Sequence, residues 1–133
     1  MTLIAADRDS FVWWGWIADR PDEIWQRTVE HVQMTLVAVA VGLAISSVLA
    51  LLAVRYRWTY TPITWVGSVL YTIPSLALFA VLIPITGLGF LTAQIALVSY
   101  TILVLVRSIV TGIDGVPPDA REAADAMGYS AGR

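Results

Sequence analysis

Three apolar stretches, each about 20 residues long, constrain this chain more than any other feature. They lie at residues 34–54, 63–83 and 91–110. The first two carry no charge, and the third carries only Arg107, near its end. A bilayer core about 30 Å thick is crossed by about 20 helical residues. β-branched residues are frequent in these stretches. In lipid, however, each backbone polar group must find its partner within the segment or in a closed barrel. Isolated long segments of this kind therefore read as helices. Composition agrees, with 58% hydrophobic and 14% charged residues; a soluble domain has about 45–50% and about 25%. The expected fold class is an all-α membrane protein with three transmembrane helices. The first ten residues carry Asp7, Arg8 and Asp9 where a signal peptide needs a basic and then an apolar region, so no cleaved leader is expected.

The formal net charge of −2 gives no electrostatic reason to expect nucleic acid as a partner. With Cys at 0, disulfides, thiolate metal sites and a cysteine nucleophile are excluded. His31, beside Glu30, lacks a matching ligand set and reads as a hydrogen-bonding residue at a span boundary. No metal, no cofactor and no catalytic residue is expected.

Arg placement in the short connections sets the expected topology. Arg55 and Arg57 lie in the first connection, and the second, 84–90, carries no charge. Arg121 and Arg133 follow the third span. This pattern puts the first connection and the C-terminal segment in the cytoplasm and the N-terminus outside. Residues 1–30 form an extracytoplasmic or interfacial segment, in which Trp13, Trp14, Trp16 and Trp25 suit the membrane–water boundary. This cluster reads as a membrane anchor, or as a docking surface for an extracellular binding protein. Asp19 is expected to cap a short helix with Pro21, Asp22 and Glu23 in its first turn.

Within the spans, Ala38, Gly42, Ser46 and Ala50 recur every four residues. They form a ridge of small side chains along which another helix can approach closely. In the second span, Pro74 follows Tyr71 and Thr72 and precedes Ser75. Proline removes a donor and kinks the helix, leaving the carbonyl near Leu70 in need of a partner. Tyr71, Thr72, Pro74 and Ser75 thus read as a structural kink or as pore lining. Gln94, Thr101 and Ser108, seven apart, share a face of the third span that suits interhelical hydrogen bonds. Arg107 is placed to snorkel to the cytoplasmic headgroups.

Residues 112–133 carry the most specific pattern. Gly112 and Gly115 are expected to end the third helix, and Pro117-Pro118 to impose a turn. Asp119 and Glu122 stand in capping-box spacing, with Asp119 as the cap. Ala123, Ala124, Ala126 and Met127 favour helix, and Gly128 suits a left-handed C-terminal cap. Ser130 is placed to cap a further helix. The result is a short helix with one Ala-rich side beneath the membrane.

Glu122-Ala123-Ala124, three residues and then Gly128 resembles the EAA loop of ABC importer permeases. Residues 31–133 are similar throughout to the osmoprotectant branch of that family, which imports glycine betaine, choline, carnitine or proline. Thr72-Ile73-Pro74-Ser75-Leu76-Ala77-Leu78, the 84–89 turn and Gly112-Ile113-Asp114-Gly115-Val116 carry the likeness. The resemblance implies a type-1 ABC transmembrane domain over 31–133. It implies a cytoplasmic EAA loop at 112–133, a location in the cytoplasmic membrane and a permease subunit that is not itself an enzyme. A separate ABC ATPase, an extracytoplasmic substrate-binding protein and a second permease chain are the implied partners, besides the lipid bilayer. Glu122, Ala123, Ala124 and Gly128 would couple the chain to the ATPase. The chain has no G-x-x-x-x-G-K-[ST] sequence of its own. Family members often carry Gln where Tyr71 stands, and they continue past the loop with about two more spans, expected here to be missing. Two other readings are a permease for another small solute such as an amino acid, and a non-transporting three-span scaffold or defunct fragment.

Overall fold

Every regular element among the described residues is helical, as an apolar chain in lipid requires. The computed structural model describes residues 13–129. The expectations placed on Asp7, Arg8, Asp9, Ser130 and Arg133 lie outside the described residues. The chain divides into two units, Met1–Leu36 and Val37–Arg133.

In the first unit, α1 (Trp14–Ala18) is a single turn whose C-terminal cap is Asp19. This corrects the expected role of Asp19, which closes α1 instead of opening the next helix. Its N–H donates to the Gly15 carbonyl at 3.1 Å. The next helix, α2 (Pro21–Arg55), starts on proline, whose missing N–H is no loss at a first helical position. The Arg20 carbonyl accepts from the Ile24 N–H at 3.1 Å, so Arg20 occupies the place given to Asp19. Asp22 and Glu23 fall in the first turn, where acids suit the helix dipole. The short helix expected from Pro21 and the first span are one element of 35 residues.

In the second unit, α2 buries Ala38, Gly42, Ser46, Ala50 and Ala53. A 3₁₀ turn, Arg57–Thr59, leads into α3 (Tyr60–Thr72). After a break come α4 (Ser75–Thr86), α5 (Phe90–Asp114) and α6 (Pro118–Ala126). Two helices, Pro21–Arg55 and Phe90–Asp114, are long and apolar enough to cross a membrane. The second expected span is not one helix. It is the pair Arg57–Thr72 and Ser75–Thr86, bent by 94°, which makes a third crossing only if the pair is counted as one span.

α5 is the hub, packed by α3 and α4. Its Val106 and Val110 form a core cluster with Ala50 and Ala53 of α2. The small-residue ridge explains how α2 comes so close. Lipid offers no hydrophobic drive between helices, so association depends on intimate packing of small side chains. A Cβ added at Gly42 would overlap Thr101 Oγ1 and stand 3.2 Å from Thr101 Cβ. A Cβ added at Gly67 of α3 would stand 3.2 Å from Leu103 Cβ. Both glycines let α5 in.

Two expected boundaries move. Gly112 does not end the third helix, which continues to Asp114 with Gly115 as its cap. Pro84 lies inside α4, so the turn expected over 84–89 shrinks to 87–89. Thr92 closes that turn, donating to the Gly87 carbonyl at 2.5 Å and lying 2.7 Å from the Thr86 hydroxyl.

Candidate functional site

Two features of the second unit stand apart from plain helix packing. One is the helix break at 73–74; the other is the polar segment from Asp114 to Tyr129.

At the break, Pro74 has no N–H to give to the Leu70 carbonyl. Ile73 turns to an extended conformation, with ψ 123°, and its own N–H takes the Leu70 carbonyl at 3.3 Å. The Thr72 hydroxyl donates to the Val69 carbonyl at 2.8 Å. Pro74 accepts from the Leu78 N–H at 3.0 Å, which begins α4. The Ile73 carbonyl accepts from the Tyr100 hydroxyl of α5 at 2.5 Å. Tyr100 also meets Tyr71 edge-on, with ring centroids 6.1 Å apart. The break is thus stapled to a helix 27 residues away in sequence. Tyr100 lies near the middle of α5, ten residues from one end and fourteen from the other. The backbone irregularity therefore lies beside the middle of α5, one of the two helices long and apolar enough to cross a membrane.

Of the residues singled out in this span, Tyr71 is 52% exposed. Thr72 ends α3, Pro74 caps α4 and Ser75 begins it, with no side-chain cap bond. Tyr100 was not among the expected site residues, because nothing local marks a tyrosine as the partner of a distant carbonyl. Tyr100→Phe keeps the ring contact and deletes the bond. It is expected to lower stability by about 1 kcal/mol, read by thermal unfolding in detergent, and to raise hydrogen exchange at 70–78. Unchanged exchange there would mean that the staple does not hold the break.

The ridge residues Ala38, Gly42, Ser46 and Ala50 are all buried. Ser46 Oγ is enclosed with no hydrogen-bond partner, the usual cost of a hydroxyl in a tight helix contact. The expected polar face of α5 divides: Gln94 is buried, Thr101 half-buried against Gly42, and Ser108 exposed. Arg107 reaches back to Ser68 of α3, with Nη2 3.3 Å from its hydroxyl.

The segment after α5 is built from turns. Pro117 precedes α6 and Pro118 is its first residue; no side chain caps it. Asp119 therefore lies in the first turn and is not the cap, because proline already fixes the entry. Glu122 and Ala123 are exposed and Ala124 is half-buried. At the far end Gly128 has φ +80°, in the left-handed region. The Gly128 N–H bonds to the Asp125 carbonyl at 3.0 Å, and the Tyr129 N–H to the Ala124 carbonyl at 3.0 Å. These are the two bonds of a Schellman motif, which glycine accommodates without strain.

In the first unit, Trp13, Trp14, Trp16 and Trp25 are exposed. The Arg20 guanidinium lies over the Trp16 ring, 5.0 Å from its centroid. His31 borders a shallow groove with Trp16, Ile24 and Arg27. Among the described residues, no group of three His, Cys, Asp or Glu is placed to hold a metal ion.

Residues 26–133 match the family described as binding-protein-dependent transport system inner membrane component. The chain belongs to that family. Among the relatives of this permease-family chain is the osmoprotectant import permease protein OsmW of Salmonella typhimurium. It is 36% identical over 108 residues, covering 77% of this chain and 50% of the relative. The choline transport system permease protein OpuBB of Bacillus subtilis is 32% identical over 108 residues, covering 81% and 50%. The ergothioneine transport permease/ergothioneine binding protein EgtU of Helicobacter pylori is 43% identical over 63 residues, covering 47% and 11%. The permease-family chain spans about half the length of the first two relatives. No solved structure matches it.

Proposed function

We propose that this chain is the N-terminal part of a permease subunit in an ATP-driven importer of osmoprotectants, such as glycine betaine, choline, carnitine or proline, across the cytoplasmic membrane. The observation that carries the reading is α6, a short, almost wholly exposed helix joined to a spanning helix through 115–117 in a permease-family chain. An exposed helix with small side chains can seat in a groove of a cytoplasmic ATPase. Glu122 lies on its surface for polar contact, Ala123 and Ala124 allow close approach, and Gly128 lets the chain turn away. A separate ABC ATPase supplies the hydrolysis. An extracytoplasmic binding protein delivers the solute, and a second permease chain completes the pore. The N-terminus lies outside. The break at mid-depth, with Tyr71, Thr72, Pro74 and Ser75, faces the translocation path, because irregular backbone in a membrane is tolerated where it borders a cavity or other protein. Coupling is a rigid-body movement passed from α6 to the spanning helices.

A second reading, a permease for another small solute, is favoured by the likeness to the Helicobacter permease over 63 residues. A chimera separates the two. Residues 26–133 replace the matching half of the Salmonella relative, and labelled glycine betaine uptake is measured in cells lacking other osmoprotectant uptake. Restored uptake is the expected result. A chimera that inserts and holds its ATPase yet moves no osmoprotectant would overturn the substrate. One that inserts and holds no ATPase would overturn the importer reading and favour a scaffold.

A further inference from the structure

We propose that Arg57, Asp114 and Arg121 form a polar clamp that fixes α6 to the cytoplasmic ends of α3 and α5, making them positioning residues for ATPase coupling. The inference rests on α6 being the docking helix.

None of the residues of α6 is buried, so apolar packing does not set its position. Two polar contacts converge on the last two residues of α5 instead. Arg57, at the start of the 3₁₀ turn leading into α3, meets the Asp114 carboxylate with both terminal guanidinium nitrogens, Nη1 and Nη2, one bond measuring 2.7 Å. Arg121 of α6 donates from Nη2 to the Ile113 carbonyl at 2.7 Å. The three elements are therefore joined at one point.

Asp114 is itself informative. An acid at a helix C-terminus opposes the macrodipole and gains nothing from its own helix. Its place there is offset by a two-pronged partner 57 residues away in sequence. The fork-to-fork geometry fixes orientation as well as distance, which a single lysine contact would not. Arg121 has the opposite logic. A cation beside the last carbonyls of α5 is favourable, and it anchors α6 by a group that α5 leaves unpaired. The linker of 115–117 is too short for α6 to drift far, and the clamp removes the remaining rotation.

The chain contains no cysteine, so pairs of spin labels can be placed cleanly. Labels at Thr61 and Asp125, both exposed, report the distance between α3 and α6 in nanodiscs with no ATPase present. The intact chain is expected to give one narrow distribution. Arg57→Gln and Asp114→Asn should each broaden it on the order of twofold. The charge swap Arg57→Asp with Asp114→Arg should narrow it again. Single changes that leave the width unaltered would overturn the clamp. So would broadening that the swap does not reverse, because the pairing would then not be its cause. Either failure leaves the docking role of α6 standing, since that role is tested by ATPase capture.

Discussion

Gly42→Leu is expected to dismantle the contact between α2 and α5. Even a methyl group at this position overlaps the Thr101 hydroxyl. A leucine adds three further carbons to a gap that is already closed. The helices must separate, and Ala38, Ser46 and Ala50 lose the neighbours that make their small size useful. Overpacking in a core typically costs about 1–3 kcal/mol. Here the loss should fall at or above the top of that range, about 3 kcal/mol, because no hydrophobic drive holds separated helices together in lipid. Thermal unfolding in detergent, or steric trapping in bicelles, reads the change. Leu43→Ala, at a position 47% exposed, is the control and should have little effect. Thr101→Gly should recover part of the loss, as coupled neighbours do in a double-mutant cycle. A Gly42→Leu chain as stable as the native one would mean that α5 is not seated against this ridge.

The second large effect is expected at Gly128→Trp. Its φ of +80° is costly for any side chain bearing a Cβ, by about 1–2 kcal/mol. The substitution strains the Schellman turn and adds bulk where the chain leaves α6. Since no α6 residue is fully buried, insertion and the α2–α5 contact should be unchanged. Capture of the ATPase on the tagged chain should fall more than about tenfold, equivalent to about 1.4 kcal/mol or more. Gly128→Asn is the informative companion, because asparagine tolerates the left-handed region. It should retain most of the capture. If the tryptophan variant captures ATPase normally, α6 is not the docking helix.

How far these features could be read in the residues depends on the range of the forces involved. The spacing of Ala38, Gly42, Ser46 and Ala50 is a local regularity, and it marks the buried face of α2. Gly128 was legible for the same reason: a glycine after an alanine-rich turn has few other uses. The two acids read as caps went wrong because a proline stood nearby. Pro21 and Pro118 each occupy the first helical position, so Asp19 closes the preceding turn and Asp119 moves inside the next. At Pro74 the local chemistry announces a kink, but the 94° break also involves Tyr100, and no local pattern names that partner. Arg57 carried a topological signal through its charge, whereas its bond to Asp114 depends on two segments that meet only in the folded chain.

The break at Ile73–Pro74 also has a mechanical consequence. α3 and α4 are arms of about 20 Å and about 18 Å, from 1.5 Å per residue, set nearly at right angles. Held rigid, such an elbow turns motion along one arm into motion across the other. A shift of α3 along its own axis, passed on from Arg57 through the 3₁₀ turn, would carry α4 sideways. The Tyr100 bond ties the elbow to α5, so such a shift would carry α5 with it or break that bond.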